Sequence, residues 1–100
     1  MNAHIVTIVE GVVPEEKWAT LESGYAAILN HPPAGLVESC IVQGRSDPTL
    51  WRLITFWENA EKLKTMQQSH AVPPGIKIFR DVNVEPNVKI FDVKSTFSAK

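Results

Sequence analysis

The most restrictive feature of this 100-residue sequence is a predicted strand that is apolar on both sides. Residues 50–57 place Leu50, Ile54 and Phe56 on one face beside an arginine, and three more large apolar side chains on the other face beside a threonine. Successive strand residues point to opposite faces, so such a strand needs cover on both sides. Helices can cover one face. We expect a second copy of the chain to cover the other, since a soluble monomer rarely exposes so much apolar surface.

The elements before this strand follow from periodicity and from residues that break it. The β-branched run at 4–9 predicts a first strand. Pro14 suits the first turn of a helix, and Trp18, Leu21, Tyr25 and Ile28 then recur at spacings of three and four, which predicts one buried helical face. The Asn-His-Pro-Pro-Ala-Gly segment at 30–35 ends that helix.

The remaining elements complete a regular order. Strands over 36–44 and 50–57 are joined by a short Asp-Pro turn, which predicts an antiparallel hairpin. A second helix begins near Glu58 or Asn59 and ends around Ser69 and His70. A short apolar piece at 76–79 and a last strand over 88–97 follow. The order β-α-β-β-α-β predicts one α+β domain over residues 1–100, with a ferredoxin-like antiparallel sheet that carries two helices on one face.

Composition excludes several classes of partner and site. Ten basic and eleven acidic residues give a net charge of -1, and the lysines and arginines form no cluster that would bind a phosphate backbone, so we expect no nucleic acid. The single cysteine, Cys40, lies in an apolar run that predicts burial, and the scattered histidines offer no convincing metal site. No apolar run reaches the length of about 18 residues that a membrane span needs, and no leader is evident, so we expect a cytoplasmic protein.

One stretch of the chain resembles a known family. Residues 46–59 read Ser-Asp-Pro-Thr-Leu-Trp-Arg-Leu-Ile-Thr-Phe-Trp-Glu-Asn and lead into a helix that ends in Ser69-His70, while residues 33–36 read Pro-Ala-Gly-Leu. These motifs are similar to those of the antibiotic biosynthesis monooxygenase-like family of dimeric α/β barrels. The resemblance implies a homodimer, a pocket between sheet and helices in each subunit and, as in several members, oxygenation without metal or flavin.

The resemblance also carries over to individual positions. Trp57 matches a pocket tryptophan at the strand–helix junction of members that oxidise aromatic polyketides. Two polar positions of those enzymes fall on Leu53 and Leu63, which removes their hydrogen-bonding groups. In the haem-degrading branch a tryptophan would fall near Met66, and His70 comes too early to match the haem ligand. The resemblance therefore implies no haem, and we expect no cofactor.

Four residues are candidates for the site, and each has an ordinary structural explanation as well. His70 could act as a general base, or could simply end a helix where a histidine is favoured. Trp57 could stack on an aromatic ligand, or pack in the core. Tyr25, the only tyrosine, could donate to a substrate oxygen, or belong to the buried helix face. Arg52 could hold an anionic group of the substrate, or pair with a carboxylate of the facing strand or subunit, and we favour the pair.

Two functions from different classes follow. The first is a cofactor-independent monooxygenase that takes a small aromatic or quinol-type substrate into an apolar pocket, where a base such as His70 removes a proton and the resulting anion reduces O₂. The second is a homodimer that binds a small hydrophobic or aromatic molecule without catalysis, or that acts on it as a cyclase or isomerase. The apolar Leu53 and Leu63 favour the second function, and the family resemblance favours the first.

Overall fold

The computed structural model describes residues 1–99 and contains one antiparallel sheet of four strands. These are β1 (Ile5–Val12), β2 (Leu36–Gln43), β3 (Leu50–Trp57) and β4 (Asn87–Asp92), in the spatial order β2-β3-β1-β4. The two central strands, β1 and β3, are each hydrogen-bonded on both sides, and every pairing is antiparallel. This strand order confirms the predicted ferredoxin-like α+β fold.

Three α-helices accompany the sheet. A 3₁₀ turn at Glu15–Lys17 leads into α1 (Trp18–Asn30), and α2 (Ala60–Ser69) and α3 (Pro74–Arg80) follow β3. The Asn59 side chain caps α2, because its Oδ1 accepts a hydrogen bond from the Lys62 backbone N–H at 2.8 Å. Among residues 1–99, no helix is both long enough and apolar enough to cross a membrane.

The core lies between the helices and one face of the sheet, which we call the inner face. Strand residues with odd numbers in β1 and β3, such as Val9 and Leu53, point to this face and are buried. Leu21 of α1 and Phe79 of α3 have no exposed surface. The predicted buried face of α1 is confirmed, since its side chains pack against this cluster.

The structure corrects three details of the sequence interpretation. Residues 76–79 belong to a third helix, which begins at Pro74 because a proline fits the first helical turn. The last strand ends at Asp92 instead of continuing to Phe97, which is 89% exposed. Cys40 is exposed, not buried: the register shifts between Leu36 and Glu38, and Cys40 lies opposite Ile54 on the side of the sheet away from the helices.

We call that other side of the sheet the outer face, and in the single chain it is exposed. Val12, Val42 and Phe91 are exposed there by 63%, 41% and 49%, beside partly buried apolar side chains of β1 and β3. The outer face also carries the ion pair between Arg52 and Glu10 of the neighbouring strand. Both faces of β3 are thus apolar, as predicted, and the helices cover only one of them.

Candidate functional site

A cavity opens between the inner face of the sheet and helices α1 and α2. Its volume is about 70 Å³, which is room for several waters or for part of a small ligand. Most of its walls are apolar. They include Ile28 from α1, Leu63 and Met66 from α2, Leu53 from β3, and the Pro73–Ile76 segment where α3 begins.

A row of hydroxyl groups crosses the floor of this apolar cavity. Thr7 of β1 lies directly opposite Thr55 of β3, and Thr55 lies directly opposite Ser39 of β2. These three residues, which we call the hydroxyl row, all line the cavity. Thr7 and Thr55 are 8% and 6% exposed, so both threonines are almost completely buried.

Two larger side chains are hydrogen-bonded to the ends of the hydroxyl row. Trp57 Nε1–H donates to Thr7 Oγ1 at 3.0 Å, and the Tyr25 hydroxyl donates to Ser39 Oγ at 3.2 Å. Ser39 Oγ is in turn 3.3 Å from Thr55 Oγ1. The contacts form two hydrogen-bonded groups, Trp57 with Thr7 and Tyr25 with Ser39 and Thr55, which lie side by side where Thr7 is opposite Thr55.

The structure brings two of the four predicted site residues together and separates the other two from them. Trp57, which is 4% exposed, and Tyr25 both line the cavity. His70 follows α2, is exposed, and lies outside the cavity lining, with its Nδ1 2.9 Å from the Met66 carbonyl oxygen. Arg52 lies on the outer face and pairs with Glu10, which was the favoured structural explanation. The ligand-binding or catalytic roles of all four stay predictions.

Sequence reasoning missed the hydroxyl row. A signal for it exists, because Thr7 and Thr55 are the polar exceptions in otherwise apolar inner-face positions: Ile5 and Val9 flank Thr7, and Leu53 and Trp57 flank Thr55. A buried hydroxyl normally needs a hydrogen-bond partner, so two such exceptions indicate a shared polar feature. Leu53 and Leu63, which fall on polar positions of the family's oxygenases, form part of the apolar wall.

Charged groups lie away from the cavity. Tyr25 is the only ionisable side chain in its lining among residues 1–99. The marked pKa shifts occur elsewhere, between Arg80 and Glu85: their double hydrogen bond lowers the pKa of the Glu85 carboxyl and raises that of the guanidinium. Of the described residues, no three histidine, cysteine, aspartate or glutamate side chains are grouped as metal ligands.

Known proteins resemble this chain in structure, whereas comparisons of sequence find no match. No protein-family model matches the chain, and no curated protein sequence matches it. A conserved protein from Methanosarcina mazei superposes with a TM-score of 0.74 at 14% identity, and the match covers 93% of this chain and 95% of that one. An almost full-length match of this quality at low identity is a similarity of fold.

Two further solved structures carry functional names. A protein from Deinococcus radiodurans, provisionally named an antibiotic biosynthesis monooxygenase, superposes with a TM-score of 0.73 at 14% identity over 96% of this chain and 98% of its own. A mutant of SnoaB, a cofactor-independent oxygenase from Streptomyces nogalater, superposes with a TM-score of 0.72 at 14% identity over 97% and 99%. The chain therefore has the fold of the antibiotic biosynthesis monooxygenases, as its strand–helix motifs predicted.

Proposed function

We propose that the chain binds a small, largely apolar molecule, most simply an aromatic one that carries oxygen, in the cavity beneath α1 and α2. The observation that carries this proposal is the hydroxyl row on the floor of an otherwise apolar cavity. Ligand sites in proteins combine apolar walls with a few polar groups that fix orientation. A dry core would instead be expected to fill this space with aliphatic side chains.

The aromatic preference rests on Trp57 and Tyr25. Both rings line the cavity, and aromatic rings favour offset or edge contacts with other rings. The Trp57 N–H is already bonded to Thr7, so Trp57 offers a ligand its ring and not its donor. The polar atoms of a ligand would therefore be recognised by the side-chain hydroxyl groups of the hydroxyl row.

Calorimetric titration with 1-naphthol tests the binding proposal. Met66 lines the cavity from α2, so Met66→Trp fills part of it and should weaken binding by at least about 10-fold, the effect of about 1.4 kcal/mol. Gln68→Trp makes the same kind of change at an exposed position of the same helix and should bind like the unmodified chain. No binding at millimolar naphthol, or equal binding by both variants, would contradict the proposal.

We propose cofactor-independent oxygenation as the reaction of the bound ligand, and the fold shared with SnoaB supports it. A phenol or quinol that loses its proton in a water-poor cavity becomes an electron-rich anion that can reduce O₂ directly. The protein would contribute position and desolvation more than reactive groups. Binding without catalysis is the alternative, and the apolar Leu53 and Leu63 favour it.

His70 is the proposed base. A carbonyl oxygen can only accept, so the contact with the Met66 carbonyl puts a hydrogen on Nδ1 and leaves Nε2 of the neutral ring free to take a proton. His70 directly follows α2, the helix whose Met66 lines the cavity. The proposal requires a substrate hydroxyl that extends beyond the cavity lining to this exposed ring.

Oxygen uptake by metal-free protein with 1,4-naphthohydroquinone tests the reaction. The rate should exceed autoxidation, and His70→Ala should lower it, while His31→Ala, which changes an exposed histidine after α1, should leave it unchanged. With ¹⁸O₂, label in the organic product indicates oxygenation, and label only in released H₂O₂ indicates simple oxidation to the quinone. Binding without oxygen uptake above buffer would leave the non-catalytic alternative.

We also propose that two copies of the chain associate through their outer faces. The exposed apolar side chains of this face support the proposal, since strands apolar on both sides need cover on both sides. Light scattering on a sizing column should give twice the chain mass. Val42→Asp combined with Phe91→Asp should give the single mass, whereas Leu29→Asp, at a similarly exposed leucine of α1, should leave the dimer intact. A monomeric unmodified chain would refute the proposal.

A further inference from the structure

We infer that Thr7 and Thr55 form a paired donor site for an acceptor oxygen of the ligand, either a carbonyl or a phenolate. Two hydrogen-bond chains enter the hydroxyl row from opposite ends, and each chain leaves a threonine hydrogen without a partner. This inference rests on the proposed binding function and adds to it the polarity of the ligand group that the cavity accepts.

The first chain begins at Trp57. An indole nitrogen can only donate, so Thr7 Oγ1 is the acceptor in the 3.0 Å contact with Trp57 Nε1. A threonine hydroxyl carries one hydrogen of its own, and accepting a bond does not use it. Among residues 1–99, no protein acceptor takes the Thr7 hydroxyl hydrogen.

The second chain begins at Tyr25. Its hydroxyl donates to Ser39 Oγ at 3.2 Å, and Ser39 Oγ lies 3.3 Å from Thr55 Oγ1, a contact in which either hydroxyl can be the donor. In the arrangement we infer, Ser39 donates its hydrogen and Thr55 accepts, so the hydrogen of Thr55 has no protein partner in the described part of the chain. Bonds linked in this way polarise one another, which strengthens the donor at the end of the chain.

The two chains converge at neighbouring positions. Thr7 and Thr55 are directly opposed on β1 and β3, and residues opposed across an antiparallel pair have their Cβ atoms about 5 Å apart. One threonine could donate to the other, but one hydroxyl hydrogen would still lack an acceptor. Both residues are more than nine-tenths buried and line the cavity, so the missing acceptor has to come from what the cavity holds.

This arrangement selects between kinds of ligand oxygen. A carbonyl oxygen has two lone pairs and can accept from both threonines, whereas a group that only donates, such as an indole N–H, would leave both hydroxyl hydrogens without an acceptor. A phenolate should be favoured over the neutral phenol, because bonds to the charged form stabilise it and lower the pKa of the bound phenol. The site would therefore favour the deprotonated form of a phenol whose oxygen lies between the two threonines.

A pair of matched bicyclic probes tests the inference. 1-Indanone and indane share a carbon skeleton, but only 1-indanone carries an acceptor oxygen. Calorimetry gives the ratio of their affinities, and Thr55→Val and Thr7→Val should each lower the preference for 1-indanone by about 5- to 10-fold, the worth of one hydrogen bond. Thr55→Ser, which keeps the hydroxyl, should restore the preference, and Thr20→Val, at an exposed position of α1, should not change it.

Continued binding of indane shows that each variant is folded and keeps its cavity, so the outcomes can be told apart. If both probes bind and Thr55→Val leaves their ratio unchanged, the donor pair is wrong and the binding function stands. If neither probe binds, the binding function fails and this inference fails with it. 4-Nitrophenol gives a second measurement: when bound, its absorbance should titrate at lower pH with the unmodified chain than with Thr55→Val.

Discussion

Replacing Trp57 should reveal how much the cavity network contributes to stability. Trp57 is 4% exposed, and Trp57→Phe removes about three buried ring atoms, which cost about 2 kcal/mol at roughly 0.8 kcal/mol for each buried carbon group. Loss of the 3.0 Å hydrogen bond to Thr7 adds about 1 kcal/mol. We expect the free energy of unfolding to fall by about 3 kcal/mol, which is a large part of the stability of a small domain.

A double-mutant cycle separates the hydrogen bond from the packing. Thr7→Val keeps the shape of the side chain but leaves the Trp57 N–H buried without an acceptor, at a cost of about 1–3 kcal/mol. In the double variant neither partner remains, so no donor is stranded. The double variant should therefore lose about 1–2 kcal/mol less than the sum of the two single changes.

Urea unfolding followed by far-ultraviolet circular dichroism gives the four free energies, at one protein concentration because association would shift them. Equal slopes against urea would indicate that the variants unfold from comparable native states. A coupling energy below about 0.3 kcal/mol, the level expected of independent sites, would refute the reasoning. It would mean that Trp57 and Thr7 do not act as a pair and that the first donor chain does not exist as described.

Three further changes have definite expected outcomes in urea unfolding. Gly35→Ala should destabilise the chain by about 2 kcal/mol or more, because Gly35 has a φ of 88° and an added Cβ would collide with the Lys62 side chain; an effect below about 0.5 kcal/mol would contradict this. Asn59→Ala should cost about 1 kcal/mol through loss of the α2 cap, whereas Asn59→Ser should retain most of it. Glu85→Gln tests the ion pair with Arg80. Since this pair lowers the folded-state pKa of Glu85, its stabilisation is present above the unfolded pKa of about 4.3 and disappears as pH falls through the lowered value. The stability difference between the unmodified chain and Glu85→Gln should therefore shrink on acidification, and a difference that does not change with pH would exclude this explanation.

The fold was predictable from sequence where its pattern is long and regular. The limits of β3 were predicted to the residue, because eight residues of alternating large side chains end at a polar Glu58-Asn59 step. α3 was missed because its seven residues are too short for a helical period and begin at Pro74, in a Pro-Pro-Gly segment that resembles a turn. Cys40 was misassigned because β2 is an edge strand with an irregular register, which neighbouring residues do not reveal.

The candidate site was predictable only where one residue type was informative by itself. Trp57 and Tyr25 were predicted as site residues because each combines a large apolar ring with a polar group, and both line the cavity. The hydroxyl row depends instead on the register of three strands. Thr7, Ser39 and Thr55 lie far apart in sequence; the polar exceptions at Thr7 and Thr55 indicate buried hydroxyls, but only the strand register shows that the three share one line across the sheet. His70 and Arg52 were predicted as site residues because their side chains can accept a proton or bind an anion. Their positions, however, depend on where α2 ends and on which face of β3 an even-numbered residue occupies.

The hydroxyl row also bears on how proteins of this fold diversify. The strands are held together by backbone hydrogen bonds, which do not depend on whether position 7, 39 or 55 carries a hydroxyl, a methyl or an amide. Replacing one of these three side chains would change which ligand atoms can hydrogen-bond to the floor of the cavity, and it would leave the strand register intact. A lineage can thus acquire new ligands by single substitutions at three inward positions. The 14% identity to the matched structures shows that this backbone tolerates wide changes of sequence.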